Sequence, residues 1–165
     1  MRSRLIPMEE TVDVDKFLRR PLMAHLATAS EDGPRDSPVW FLWEEGAVWL
    51  IGNHRDSFPK RIKRDGRCAI GIVDFDVQRG LLQHVSMRGS ATVVPIDMAR
   101  MHRLLARYLG DDKRSWNQWF REQVINHLDL MVRFKPESIM ARDQSYFASG
   151  MYGRFPVEQD HAPDY

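Results

Sequence analysis

The chain has 165 residues, of which 28% are charged, and its 24 Lys and Arg nearly balance 23 Asp and Glu. That length supports a single well-buried core, and the balance leaves no global field that would draw nucleic acid or an anionic membrane. The lone cysteine, Cys68, excludes an intrachain disulfide and a thiolate-rich metal site. It sits in the apolar run CAIGIV and reads as a small buried hydrophobe. The opening MRSRLIPMEE lacks the apolar stretch and cleavage site of a signal peptide, and no run approaches the roughly 20 apolar residues of a membrane span. A cytoplasmic protein with no membrane partner is the expectation.

In chain order, Thr11 or Asp13 can cap a short helix, VDKFLRR, with Val14, Phe17 and Leu18 on one face and Pro21 as its stop. AHLATAS reads as a first strand, ended by the breakers Gly33 and Pro34. A second strand is expected from about Arg35 to Trp43 and a third from about Ala47 to Gly52, joined as a hairpin by a tight Glu45-Gly46 turn. A polar loop, NHRDS, then runs into a short basic segment, Pro59 to Arg64. CAIGIVDF is a fourth strand whose continuous hydrophobicity predicts cover on both faces. A long strand from about Gln83 to Val94 follows, with Gly89 marking a bulge or a close backbone approach.

Two helices come next. Asp97 caps MARMHRLLARYLG, where Met98, Met101, Leu104, Leu105, Tyr108 and Leu109 form one stripe and Gly110 supplies the stop. Ser115 and Gln118 make a capping-box pattern for SWNQWFREQVINHL, with Trp116, Trp119, Phe120, Val124 and Leu128 on one packing face. LMVRFKPESIMARD is the last strand. Residues 1–147 thus form one domain, and residues 148–165, rich in Gly, Pro and charge, form an irregular tail or docking arm. Strands outnumber helices and are joined by short connections, so the fold class is mainly β, an antiparallel barrel or strongly curved sheet with peripheral helices. Neither a Gly-rich dinucleotide fingerprint nor a Walker loop is present.

The stretch from Asp36 to Arg67 carries the chemistry. Its strands offer backbone amides and indole faces, and its loop offers hydroxyls, guanidinium groups and an ammonium, a combination that suits a flat ring with a phosphate tail. Each group also has a structural reading. Lys60, Arg61, Lys63 and Arg64 can be a solvated helix face, Trp40, Trp43 and Trp49 can be core or interface packing, and Arg88 can pair with an acidic neighbour. His54 and His84 can act as acid or base, but a lone histidine is more often a structural hydrogen-bonder. No paired His-Glu spacing points to a metal, and no metal site is expected.

The order of a short helix, LATAS-EDG-P, SPVWFLW, a hairpin return ending in Ile51-Gly52, a loop with Ser57 before Lys60-Arg61-Ile62, Asp-Gly-Arg, and Met87-Arg88-Gly89 resembles the pyridoxamine 5′-phosphate oxidase-like FMN-binding split barrels. The resemblance spans about Val14 to Asp143. It implies an isoalloxazine ring lying against the backbone of Ser37, Pro38, Val39 and Trp40, with ribityl chain and phosphate at Ile51, Gly52, Asn53, Ser57, Lys60 and Arg61. It further implies that a residue of the strand bearing Arg88-Gly89 completes the cofactor pocket across a homodimer interface, at the position of His84, with Arg88 a candidate for the flavin phosphate or a substrate anion. Two departures stand out: Phe58 and Pro59 intervene before Lys60, and residues 142–146 do not reproduce the substrate-phosphate signature of the named oxidase. The function implied is an FMN-dependent oxidoreductase passing a hydride to a small substrate, with a nicotinamide as one possible donor. Flavin chemistry asks little of side chains, so no catalytic residue is assigned. The alternatives are a non-catalytic flavin- or heme-binding sensor or storage protein, and a deazaflavin-dependent reductase; FAD is a further cofactor option. Five Trp and eight Phe in so small a barrel are consistent with a dimer.

Overall fold

The computed structural model describes residues 12–145, so Thr11 and the 148–165 tail lie outside the described residues. Asp13 caps α1 (Val14–Leu18), its carboxylate accepting from the Lys16 amide at 3.1 Å. Phe17 and Leu18 of that helix are buried.

Seven strands follow: β1 (Ala24–Thr28), β2 (Arg35–Val39), β3 (Leu42–Glu44), β4 (Ala47–Gly52), β5 (Arg67–Asp76), β6 (Leu81–Pro95) and β7 (Leu130–Asp143). They form one sheet in the order β2-β1-β5-β6-β7-β4-β3, with every pairing antiparallel. β2 and β3 are consecutive in the chain yet occupy opposite ends of that order. Val39 and Leu42 can be at most roughly 11 Å apart, so the sheet must curl until its edges approach, as a split barrel.

The single strand expected over residues 35–43 is therefore two, and the reason is local. Phe41 turns its ring fully into the core, and its amide donates to the Tyr108 hydroxyl at 3.0 Å instead of joining a ladder. The expected hairpin survives as β3–β4, with Glu45 at φ 56° and Gly46 at φ 66° making its turn. Gly89 meets both expectations for it. The β6–β7 register shifts between Arg88 and Gly89, and a Cβ on Gly89 would lie 2.1 Å from the Lys135 carbonyl oxygen.

Leu18, Leu26, Phe41, Leu50, Ile70 and Phe134 fill the barrel. α2 (Ser57–Arg64) closes one end by inserting Phe58, Pro59 and Ile62. α3 (Met98–Leu109) is capped by Asp97 and stopped at Gly110, as its sequence predicts, but Met98 is exposed and only Met101, Leu104 and Leu105 of its stripe are buried.

Two expectations are corrected. β5 alternates between buried and outward residues, and Val73 and Phe75 are exposed within this chain, so its second face is not covered by the protomer. The long helix expected over residues 115–128 is instead a 3₁₀ turn (Lys113–Ser115), a π-helical segment (Phe120–Val124) and a final turn, α4 (Ile125–His127). Its capping box does not form. Asp112 caps the first turn, and the Asn117 side chain accepts from the Trp119 amide at 2.9 Å. Among the described residues no helix is long and apolar enough to cross a membrane.

Candidate functional site

The Phe58-Pro59 pair explains how α2 presents its cations. Because Phe58 and Ile62 point into the barrel, Lys60 is exposed and Arg61 turns toward β1 and β2. Arg61 Nε donates to Thr28 Oγ1 at 2.7 Å and Nη2 donates to Ser37 Oγ at 3.2 Å. Thr28 is only 2% exposed. Among the described residues Arg61 forms no ion pair, so this half-buried guanidinium is held by neutral hydroxyls and keeps its charge uncompensated. That donor set fits an anion.

The loop before α2 is arranged differently. The Asp56 carboxylate accepts from the Asn53 amide at 2.9 Å instead of capping the helix, while Asn53 Oδ1 accepts from the Arg55 amide at 2.8 Å. Lys60 Nζ donates to the Arg55 carbonyl at 3.3 Å. His54 is tied to Asp129 through both its amide and its Nδ1, and the His54 hydrogen bond holds the Asp129 carboxyl below its ordinary range. A carboxylate thus stands where the resemblance implies a phosphate grip, and the cation best suited to an anion is Arg61. Gly52 suits this loop, since a Cβ there would lie 3.1 Å from both the Asp56 carboxylate and the Phe58 ring.

Among the described residues β2 is an edge strand paired only with β1, so one side of its backbone, from Ser37 to Val39, is open to bond outward. Pro38 lies opposite His25 in the register. On the outer face of the sheet a concavity of about 660 Å³ is floored by Ala27, Ala69, Gly71 and Ser86 and edged by Arg88 and a His25–Asp36 pair at 2.9 Å. Among the described residues the Arg88 side chain forms no ion pair or hydrogen bond. His84 is on the same strand face two residues before Ser86, paired with Val73 and Arg142. Nothing lies within 4 Å of a Cβ built on Gly71, so the protomer itself does not require that glycine.

The structure therefore brings Ser37 and Arg61 into contact and sets Arg88 and His84 on one outer face. It gives three of the aromatics internal partners. The Trp40 ring stacks on Tyr108 at 4.5 Å and on Phe120 at 5.4 Å. Trp49 lies under Arg100, whose guanidinium is 3.7 Å from the ring centre, and Trp43 donates to Asp15 at 2.7 Å. Ile51 packs against α3 and its neighbours, so only its backbone could serve a ligand. Thr28 and Gly71 were not singled out by sequence. Thr28 belongs to an ordinary-looking strand, and Gly71, inside the apolar run CAIGIV, was the available signal. Among the described residues no cluster of His, Cys, Asp and Glu could hold a metal ion.

Residues 11–140 match the family model described as pyridoxamine 5′-phosphate oxidase. No match is found among curated proteins. Among solved structures, the conserved hypothetical protein Rv2991 from Mycobacterium tuberculosis aligns with a TM-score of 0.66 at 20% identity, covering 97% of this chain and 98% of that one. An F420 reductase aligns at 0.58 and 23% identity, covering 76% and 94%. A FAD-binding protein from Mesorhizobium loti aligns at 0.60 and 13% identity, covering 84% and 99%. At these identities the likeness is one of fold, and it agrees with the seven-stranded antiparallel sheet described above. With the family model matching most of its length, the chain belongs to the pyridoxamine 5′-phosphate oxidase family of split barrels.

Proposed function

We propose that this protein is a homodimeric, flavin-binding oxidoreductase that transfers a hydride between a small organic substrate and FMN. The observation that carries the reading is Arg61. A half-buried guanidinium fixed by Thr28 and Ser37, and without a carboxylate partner among the described residues, lies beside the open backbone edge of β2. Backbone donors and acceptors of Ser37 and Val39 suit the heteroatom edge of a flavin, and Arg61 with the Ser37 hydroxyl suits its phosphate. When bound, the flavin supplies the hydride chemistry itself. This chain's residues bind and orient it, and a second subunit over the outer face would exclude water from the ring.

The dimer has its own physical support. The outer concavity has a floor of small residues, a glycine that the protomer does not need, and exposed Val73 (52%) and Phe75 (60%) beside it. A floor of small residues with exposed apolar side chains beside it is suited to close approach by a second copy. Arg88 and His84 would then face the cofactor or the substrate from the partner's side of the seam.

A second reading is a deazaflavin in place of FMN. The Asp56 carboxylate at the Asn53 amide favours it, because it opposes a phosphate dianion at that loop, whereas a deazaflavin's phosphodiester carries less charge. The likeness to an F420 reductase is consistent with this. The test is the absorbance spectrum of the purified protein, followed by release of the cofactor and determination of its mass. A yellow protein releasing FMN supports the first reading and a released deazaflavin the second. A colourless protein that also binds neither compound on titration contradicts both.

A further inference from the structure

Trp119 has no structural explanation. Trp43, Trp49 and Trp116 anchor their indole N–H groups on protein oxygens, and Trp40 is stacked on Tyr108 and Phe120. Trp119 is 59% exposed, and among the described residues its indole N–H has no partner. An edge-on contact with Phe120, 5.0 Å between ring centres at 78°, fixes its orientation. It immediately precedes the π-helical segment Phe120–Val124, a departure from α geometry frequent at functional sites.

Trp119 lines a cavity of about 360 Å³ together with Asn53, Gln123, Val124, His127 and Leu128. It also borders a more open concavity of about 440 Å³ with Asn117, Gln118 and Glu122. The first cavity has apolar walls, an oriented aromatic plane and no charged lining residue. Its polar groups are specific. His127 Nδ1 bonds the Gln123 carbonyl, so in the neutral imidazole Nε2 is left as an acceptor. Asn53 uses Oδ1 on the Arg55 amide, leaving its NH₂ to donate, and Gln123 offers a carboxamide. A planar heterocycle presenting both an amine and ring-nitrogen acceptors matches this set, as carboxamides match adenine.

Asn53 also belongs to the loop that carries Arg55 and leads into Lys60. We propose that the Trp119 cavity is a subsite for the base of an adenylate, the adenine stacking on Trp119 and meeting the Asn53, Gln123 and His127 side chains. The adenylate can belong to FAD, bound through the β2 edge, or to a nicotinamide dinucleotide donor. The FAD form rests on the flavin reading above; the adenylate subsite itself does not.

The test titrates AMP, FAD, FMN and NADPH into the full-length protein and into Trp119→Ala, Trp119→Phe and Gln123→Leu, with binding read by calorimetry and folding by circular dichroism. AMP should bind the parent protein, and Trp119→Ala should weaken it about tenfold or more, as expected for losing a base-stacking platform. Trp119→Phe should keep most of the affinity, and Gln123→Leu, which preserves the ring, should lose part of it. FMN, lacking an adenylate, should be unaffected by any of the three. If Trp119→Ala weakens FAD, the flavin supplies the adenylate; if it weakens only NADPH, the donor does. Loss of AMP binding in Trp119→Ala in a protein that binds neither flavin leaves the subsite standing and removes the flavin reading. Absence of AMP binding at millimolar concentration, or equal affinity in the parent and both Trp119→Ala and Gln123→Leu, overturns the proposal.

Discussion

The Tyr108 hydroxyl accepts from the Phe41 amide at 3.0 Å and lies 2.8 Å from the Leu22 carbonyl, to which it donates. A single side chain on α3 thus satisfies the backbone where β2 breaks from β3, and the barrel can turn its corner without leaving a buried amide unpaired. Burial raises the Tyr108 pKa, keeping the hydroxyl in the form that can donate. Tyr108→Phe removes both bonds with no change in packing volume. We expect a loss of about 1–3 kcal/mol of stability, read as a lower urea midpoint with an unchanged slope. A midpoint equal to the parent's would mean that the corner is held by Phe41 packing alone.

Gly71→Glu tests the outer face. The protomer has room for a side chain there, so the variant should fold with its parent's circular dichroism. A carboxylate in the centre of an apolar seam cannot be solvated once a second copy covers it. Sedimentation should show a dimer for the parent and a monomer for Gly71→Glu. A parent that sediments as a monomer, or a variant that remains dimeric, would remove this face from the interface.

Cys68 is 8% exposed, and burial, with Asp65 adding to it, pushes its thiol up to about 11. At pH 8 almost none is thiolate, and access is poor. The native protein should react with a disulfide reagent far more slowly than the urea-unfolded chain. Equal rates would show that β5 opens locally.

The α3–hairpin contact depends on pH in a defined direction. The Arg103 hydrogen bond is the largest influence on Glu44 and, together with Arg100, holds its carboxyl below its usual value against the opposing effect of burial. A carboxyl whose folded pKa is depressed contributes stability above its unfolded pKa and loses it as pH falls through the folded one. Glu44→Gln should therefore be less stable than the parent at neutral pH, and the gap should close on acidification through the carboxylate range. A gap that stays constant with pH would assign Glu44 a packing role only.

Much of this architecture was legible in the sequence. Asp13, Asp97 and Gly110 marked helix ends correctly, Glu45-Gly46 made the expected turn, and Gly89 marked the crowded bulge. The strand break at Trp40 and Phe41 was hidden because its cause, Tyr108, is 67 residues away. The 115–128 segment misled for a related reason. Its aromatic spacing suits one helical face, but the Asn117 side chain takes the Trp119 amide and a π-helical stretch follows, so Trp116 turns in and Trp119 turns out. At the candidate site, the cations of residues 60–64 were visible, but which one faces the sheet was decided by Phe58 and Ile62 plugging the barrel. Continuous hydrophobicity in β5 predicted cover on both faces, but Val73 and Phe75 are exposed in this chain, because the pattern marks apolar residues without saying what lies over them.

The account turns on Arg61 as the phosphate grip of a flavin lying on the β2 edge. Its most direct test is calorimetric titration of FMN and riboflavin, which differ only by the phosphate, into the parent protein and Arg61→Gln. The account predicts that the parent prefers FMN, that Arg61→Gln loses about tenfold or more of FMN affinity, and that riboflavin binds both proteins equally. A parent that binds riboflavin as tightly as FMN, or an Arg61→Gln variant that retains full FMN affinity, would contradict it.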